Sequence, residues 1–171
     1  QPFNAQAERQ GNQAGHQDLA DLEHAERTGR NLLTEKYAFM MEYTSPLEFN
    51  RIRHALPVPD SESLAKIREI VEIHMDWERR TDQAYPHIRS TGRPLTREGD
   101  RPDVTSFETY LTGELKTWSK ATLARYLDFT RQCQRQGRNL AEETADNMAR
   151  AYGYASMRDA EEKKLRRASS V

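Results

Sequence analysis

Four polar residues sit where the apolar patterning of this chain is densest. His74 and Glu78 lie four residues apart in the stretch DSESLAKIREIVEIHMDWERRTDQAY, from Asp60 to Tyr85, and on a helix that spacing puts them on one line of the surface. Glu114 falls in the middle of the apolar face that Phe107, Tyr110, Leu111 and Trp118 make on a second helical stretch, FETYLTGELKTW. An imidazole whose tautomer is set by one carboxylate, with a second carboxylate to give or take the proton, is an acid–base arrangement. His74, Glu78, Glu114 and Tyr110 are therefore the candidate catalytic set. The competing reading is a core network in which these groups satisfy one another, the more common outcome because an unpaired buried polar group costs about 1–3 kcal/mol.

Other residues offer less. Arg93 and Arg97 lie on the charged segment HIRSTGRPLTREGDRPDV, where a guanidinium could clamp a carboxylate or phosphate, so they are the candidate ligand-binding pair. Arg30 and Arg138 could do the same, but salt bridges to Glu35 and Glu143 are the stronger expectation. The sequence holds no Glu-x-x-His, and Asp21-x-x-His24 stands alone, so no metal site is assigned and any cofactor is unknown. Cys133 falls on an apolar helix face without a nearby histidine, which favours a buried small hydrophobe over a nucleophile. Arg166-Arg167-Ala168-Ser169 resembles a basophilic kinase site within KKLRRASSV, read here as a basic, solvated tail.

These residues need helices to hold them. At about 100° per residue, Leu64, Ile67, Ile70, Val71, Ile73, Met75, Trp77 and Ala84 fall within an arc of roughly 200°, wide enough for neighbours on two sides. Asp60 or Ser61 caps this helix, Glu62 favours its first turn and Pro86 stops it. Before it, Gly29 and Asn31 mark a corner between a helix from Asp18 and another over residues 32–43, and Ser45-Pro46 starts a short helix to about Ala55. After it, residues 87–104 read as a loop with no regular element, Thr105 with Glu108 forms a capping box, Ser119 caps a further helix ending at Gly137, another runs to Tyr152, and Ser156 opens the last. No segment alternates like a strand. The expectation is an all-α bundle of about six to seven helices around a long central helix at about 60–85.

Composition sets limits on function. Of 171 residues, 31% are charged and 36% hydrophobic, and the mean hydropathy is −0.98, so the core is expected to be thin. A formal net charge of −1 gives no reason to expect nucleic acid as a partner. One cysteine allows no internal disulfide, and no apolar run suits a membrane span, so a cytoplasmic protein is expected. Residues 1–16 read as a flexible leader, 17–167 as one helical domain and 168–171 as a tail.

The chain also repeats itself. Gly29-Arg30-Asn31-Leu32-x-x-Glu35 recurs as Gly137-Arg138-Asn139-Leu140-x-x-Glu143, with Met40 matching Met148. A partial internal duplication follows, with repeat 1 at about 17–56 and repeat 2 at about 60–167. The segments GRNLLTEKYAFMME, TSFETYLTGEL, GRNLAEE and YGYASMRDAEE resemble a microbial all-helical family catalogued only as a domain of unknown function, over roughly residues 17–163. The resemblance implies two related helical halves, with the family's usual amino-terminal half-repeat missing, and it brings no catalytic residues with it. Two functional classes are open. One is a small-molecule-binding protein, or an enzyme, with the polar stripe as floor and the 87–104 loop as cover. The other is a non-catalytic interaction module whose truncated first repeat leaves apolar surface for a homo-oligomer or a helical protein partner.

Overall fold

A computed structural model describes residues 21–170; the leader and the first turn of the first expected helix lie outside the described residues. Nine α-helices and no strand occur among those described. They are α1 (residues 21–28), α2 (Leu32–Thr44), α3 (Pro46–Ile52), α4 (Ser61–Ala84), α5 (Pro86–Arg89), α6 (Phe107–Leu115), α7 (Lys120–Arg135), α8 (Leu140–Ala151) and α9 (Met157–Ala168). The protein is all-α, with α4 in the middle and α6, α7 and α8 packed on it.

Local chemistry sets most of the boundaries. The Asp60 carboxylate accepts from the Ser63 amide at 2.8 Å and so caps α4, while side-chain oxygens of Asn31, Ser119, Asn139 and Ser156 cap α2, α7, α8 and α9. Gly29 and Gly137 both take φ 68, the left-handed value that lets a helix end in a tight corner. At each corner the arginine pairs with the expected glutamate: Arg30 Nε reaches Glu35 at 3.1 Å, and Arg138 Nε reaches Glu143 at 2.9 Å.

Three boundaries differ from expectation. α6 is capped by Ser106, whose hydroxyl accepts from the Thr109 amide, because the Glu108 carboxylate is taken by the Arg97 amide at 3.0 Å and does not close a box with Thr105. Pro86 stops α4 but serves as the first residue of α5, and residues Arg97–Gly99 form a 3₁₀ turn, so the 87–104 stretch is not wholly irregular. The Glu161 carboxylate accepts from the amides of His87 and Ile88, tying α9 to α5. The basic carboxyl end is helical through Ala168.

Burial follows the wide apolar arc of α4. Ile67, Ile70, Val71 and Met75 cluster with Leu115 of α6 and with Leu123 and Leu127 of α7, while Ile73 and Trp77 pack with Cys133 and Ala141. Ala84, at the end of the arc, is exposed. Each fully buried aliphatic side chain contributes roughly 1.5–3 kcal/mol, and α4 carries enough of them to organise the bundle. A third cluster, Tyr85 with Ala145, Ala149, Met157 and Ala160, joins the end of α4 to α8 and α9.

α2 and α6 approach closely because Gly113 has no side chain. A Cβ there would stand 2.8 Å from Met40 Cγ and 3.1 Å from the Lys36 carbonyl oxygen. Gly113→Leu is accordingly expected to lower stability by about 2 kcal/mol, the overpacking term outweighing the gain in helix propensity. Urea denaturation reads the change, and an unaltered midpoint would show that α2 gives way freely.

Candidate functional site

The structure does not gather the four candidate catalytic residues into one cluster. His74 turns to α7, where its Nε2 shares a hydrogen bond of 2.8 Å with the Tyr126 hydroxyl. Its ring stands edge-on to Trp77, with centroids 5.1 Å apart, and lies stacked at 5.8 Å from Tyr126. Burial among these rings lowers the His74 pKa to about 4 and raises that of Tyr126. A neutral imidazole with so low a pKa is a weak base, and its phenol partner a weak acid, at neutral pH.

Glu78 faces the other way along α4. It pairs with Arg89 of α5, which also donates to Asp82 at 2.6 Å. Burial raises the Glu78 pKa despite the neighbouring guanidinium. Glu114, on α6, turns to α2, with its carboxylate 3.6 Å from the Lys36 ammonium. Tyr110 carries two cations on its ring: Lys36 Nζ is 3.8 Å from the centroid and the Arg93 guanidinium 4.6 Å. The four residues thus belong to three separate pairings. Sequence reasoning missed Tyr126, Asp82 and Arg89. Only Arg89 had a local signal, since proline at the first position of a turn is a way to reverse direction right after α4.

The two loop arginines also part. Arg97 lies over the Tyr43 ring at 4.1 Å and donates to the Thr112 hydroxyl at 3.0 Å, which ties the loop to α2 and α6. Arg93 instead lines a cavity of about 460 Å³ between α4, α5, α6, α8 and α9. Ile88, Leu95, Phe107, Ala149 and Met157 give the cavity apolar walls, and Glu78, Asp82 and Arg89 form its charged end. Arg93 is exposed and has no acidic partner among the described residues.

The loop holding Arg93 and Leu95 is anchored. Asp100 accepts from the Ser106 amide at 2.6 Å and from the Thr109 hydroxyl, while the Pro94 and Leu95 carbonyls accept from the first amides of α6. Gly99 lets the turn close on itself, since a Cβ there would stand 2.3 Å from Pro94 Cβ. Among the described residues, no three or more His, Cys, Asp or Glu side chains come together as a metal-binding group. None of the described helices is long and apolar enough to cross a membrane.

An all-α bundle holding a cavity with apolar walls and a charged end defines a class of architecture and no chemistry by itself. Residues 16–162, most of the chain, match the family described as Protein of unknown function (DUF4125). The chain belongs to that family. No curated protein and no solved structure matches it.

Proposed function

We propose that the protein binds a small organic anion, apolar in its body, in the cavity between α4, α5, α6, α8 and α9. The observation that carries this reading is Arg93, a guanidinium without an acidic partner among the described residues, beside a cavity with apolar walls whose other charged groups, Glu78, Asp82 and Arg89, pair with one another. Arg89 is already held by two carboxylates and Lys36 lies beside Glu114, so the anion falls to Arg93. The size suits such a ligand, since small-molecule sites are concave, mostly apolar and contain a few placed polar groups. The buried lone thiol of Cys133 supports a cytoplasmic setting.

Titration with an anilinonaphthalene sulfonate, an apolar body carrying one negative charge, tests this. Arg93→Gln is expected to weaken binding about tenfold, the order of a charge-assisted contact. Ala149→Phe, which puts a ring into the cavity, should abolish it, and Met148→Trp at the rim should weaken it without touching buried packing. An uncharged analogue that binds equally well, or binding that survives both space-filling changes, would overturn the reading.

A further inference from the structure

The Gly-Arg-Asn corner is built twice with one geometry and, among the described residues, covered by a long helix only once. The Arg30 amide donates to the Ala25 carbonyl at 2.8 Å and the Arg138 amide to the Cys133 carbonyl at 3.0 Å. Asn31 and Asn139 hold similar backbone angles, φ −105 and −119, and each caps the helix that follows. Matching dihedrals and hydrogen bonds send the chain along matching paths, so the offset of 108 residues from Gly29 to Gly137 maps α1–α2 onto α7–α8.

On α7–α8 the mapped face is covered by α4. Ala141 packs with Ile73 and Trp77, and Ala145 with Tyr85. Asn139 Nδ2 donates to the Trp77 carbonyl at 3.2 Å and to the Thr81 hydroxyl at 3.3 Å. Cys133, Ala141 and Ala145 are 0%, 8% and 6% exposed; of their counterparts Ala25 is also buried, at 4%, whereas Leu33 and Tyr37 are 62% and 56% exposed. The uncovered positions carry larger apolar side chains than the covered ones, the reverse of what a solvent face requires. Asn31 Nδ2 has no protein partner among the described residues, although its Oδ1 caps α2 as Asn139 caps α8.

We propose that the α1–α2 face docks a long amphipathic helix of a protein partner, lying across α1 and α2 as α4 lies across α7 and α8. The partner's chemistry follows from the differences between the two faces. Leu33 and Tyr37 fill the room that Ala141 and Ala145 leave, so the docked helix carries small side chains where α4 carries Ile73 and Trp77, and it presents a main-chain carbonyl to Asn31. A second copy of this chain does not supply that helix, because its own α4 is already held by α6, α7 and α8.

The probe is a fluorescein-labelled peptide of residues 60–86 carrying Ile73→Ala and Trp77→Ala, titrated against the full chain by anisotropy. Saturable binding is expected, with the unsubstituted peptide binding more weakly. Leu33→Glu and Tyr37→Glu, both at exposed positions, should each weaken binding about tenfold or more while leaving circular dichroism and melting unchanged. Absence of binding, or binding indifferent to both substitutions, overturns the proposal. So does a concentration-dependent dimer that Leu33→Glu dissolves, which would make the face a self-interface. Protease protection of residues 1–20 that Tyr37→Glu removes would assign the face to the chain's own leading segment, and would overturn the proposal too.

Discussion

Acidification from pH 6.5 to pH 4 is expected to lower the stability of the fold by about 3 kcal/mol through His74 alone. Burial lowers the folded pKa of that imidazole to about 4, against an ordinary value of 6.5. A group with a depressed folded pKa stabilises the fold fully above its unfolded value, and the contribution drains away as pH falls toward the folded one. The stabilisation is therefore complete at pH 7 and lost across the window from 6.5 to 4. Glu78 works the other way: its folded pKa is raised by burial, so its protonation in mild acid favours the folded chain. Comparison with His74→Gln separates the two, since the amide can keep a hydrogen bond to the Tyr126 hydroxyl and does not titrate. Urea midpoints measured at pH 7 and pH 4.5 should diverge less in the variant than in the parent chain. Parallel losses would mean that the imidazole is already hydrated in the folded state.

Trp77→Ala is expected to remove about 4 kcal/mol, near the upper end for a buried aromatic. Trp77 is among the largest fully buried side chains, at 1% exposed, and it joins three things at once. Its ring packs with Cys133 and Ala141, it meets the His74 ring edge-on, and its carbonyl accepts from Thr81 and Asn139. The backbone bonds survive the substitution while the packing does not, so the loss should appear as a cavity term. Since folded domains are stable by about 5–15 kcal/mol, such a loss leaves the fold marginal. Circular dichroism in urea would measure it, and a shift below about 1 kcal/mol would show that α7 and α8 collapse into the space.

How much of this could be read beforehand depended on how local the cause was. Asp60, Asn31, Ser119 and Ser156 each act on the amide three residues on, so the sequence contains both partners of each cap. The Arg30–Glu35 and Arg138–Glu143 pairs were readable for the same reason, being five residues apart around a glycine corner. The polar stripe on α4 was visible as a stripe, but its partners were not. Angular position shows which side of a helix a residue occupies and says nothing about which helix arrives there. His74 met α7 and Glu78 met α5, so two residues on one line of α4 ended in different environments. Arg93 and Arg97, four residues apart on one loop, were separated by the path that Asp100 imposes, and nothing in their spacing signals that path.

The contacts of Asp100 bear on how the cavity can open. One carboxylate holds both the Ser106 amide and the Thr109 hydroxyl, and the loop carbonyls of Pro94 and Leu95 hold the next two amides of α6. Those amides can be released to exchange with deuterium only when the loop detaches, so the first turn of α6 and the 93–100 segment form one cooperative opening unit. Arg93 and Leu95 therefore do not swing as a hinged flap over a fixed helix. Whatever enters past them does so at the free energy of fraying that turn.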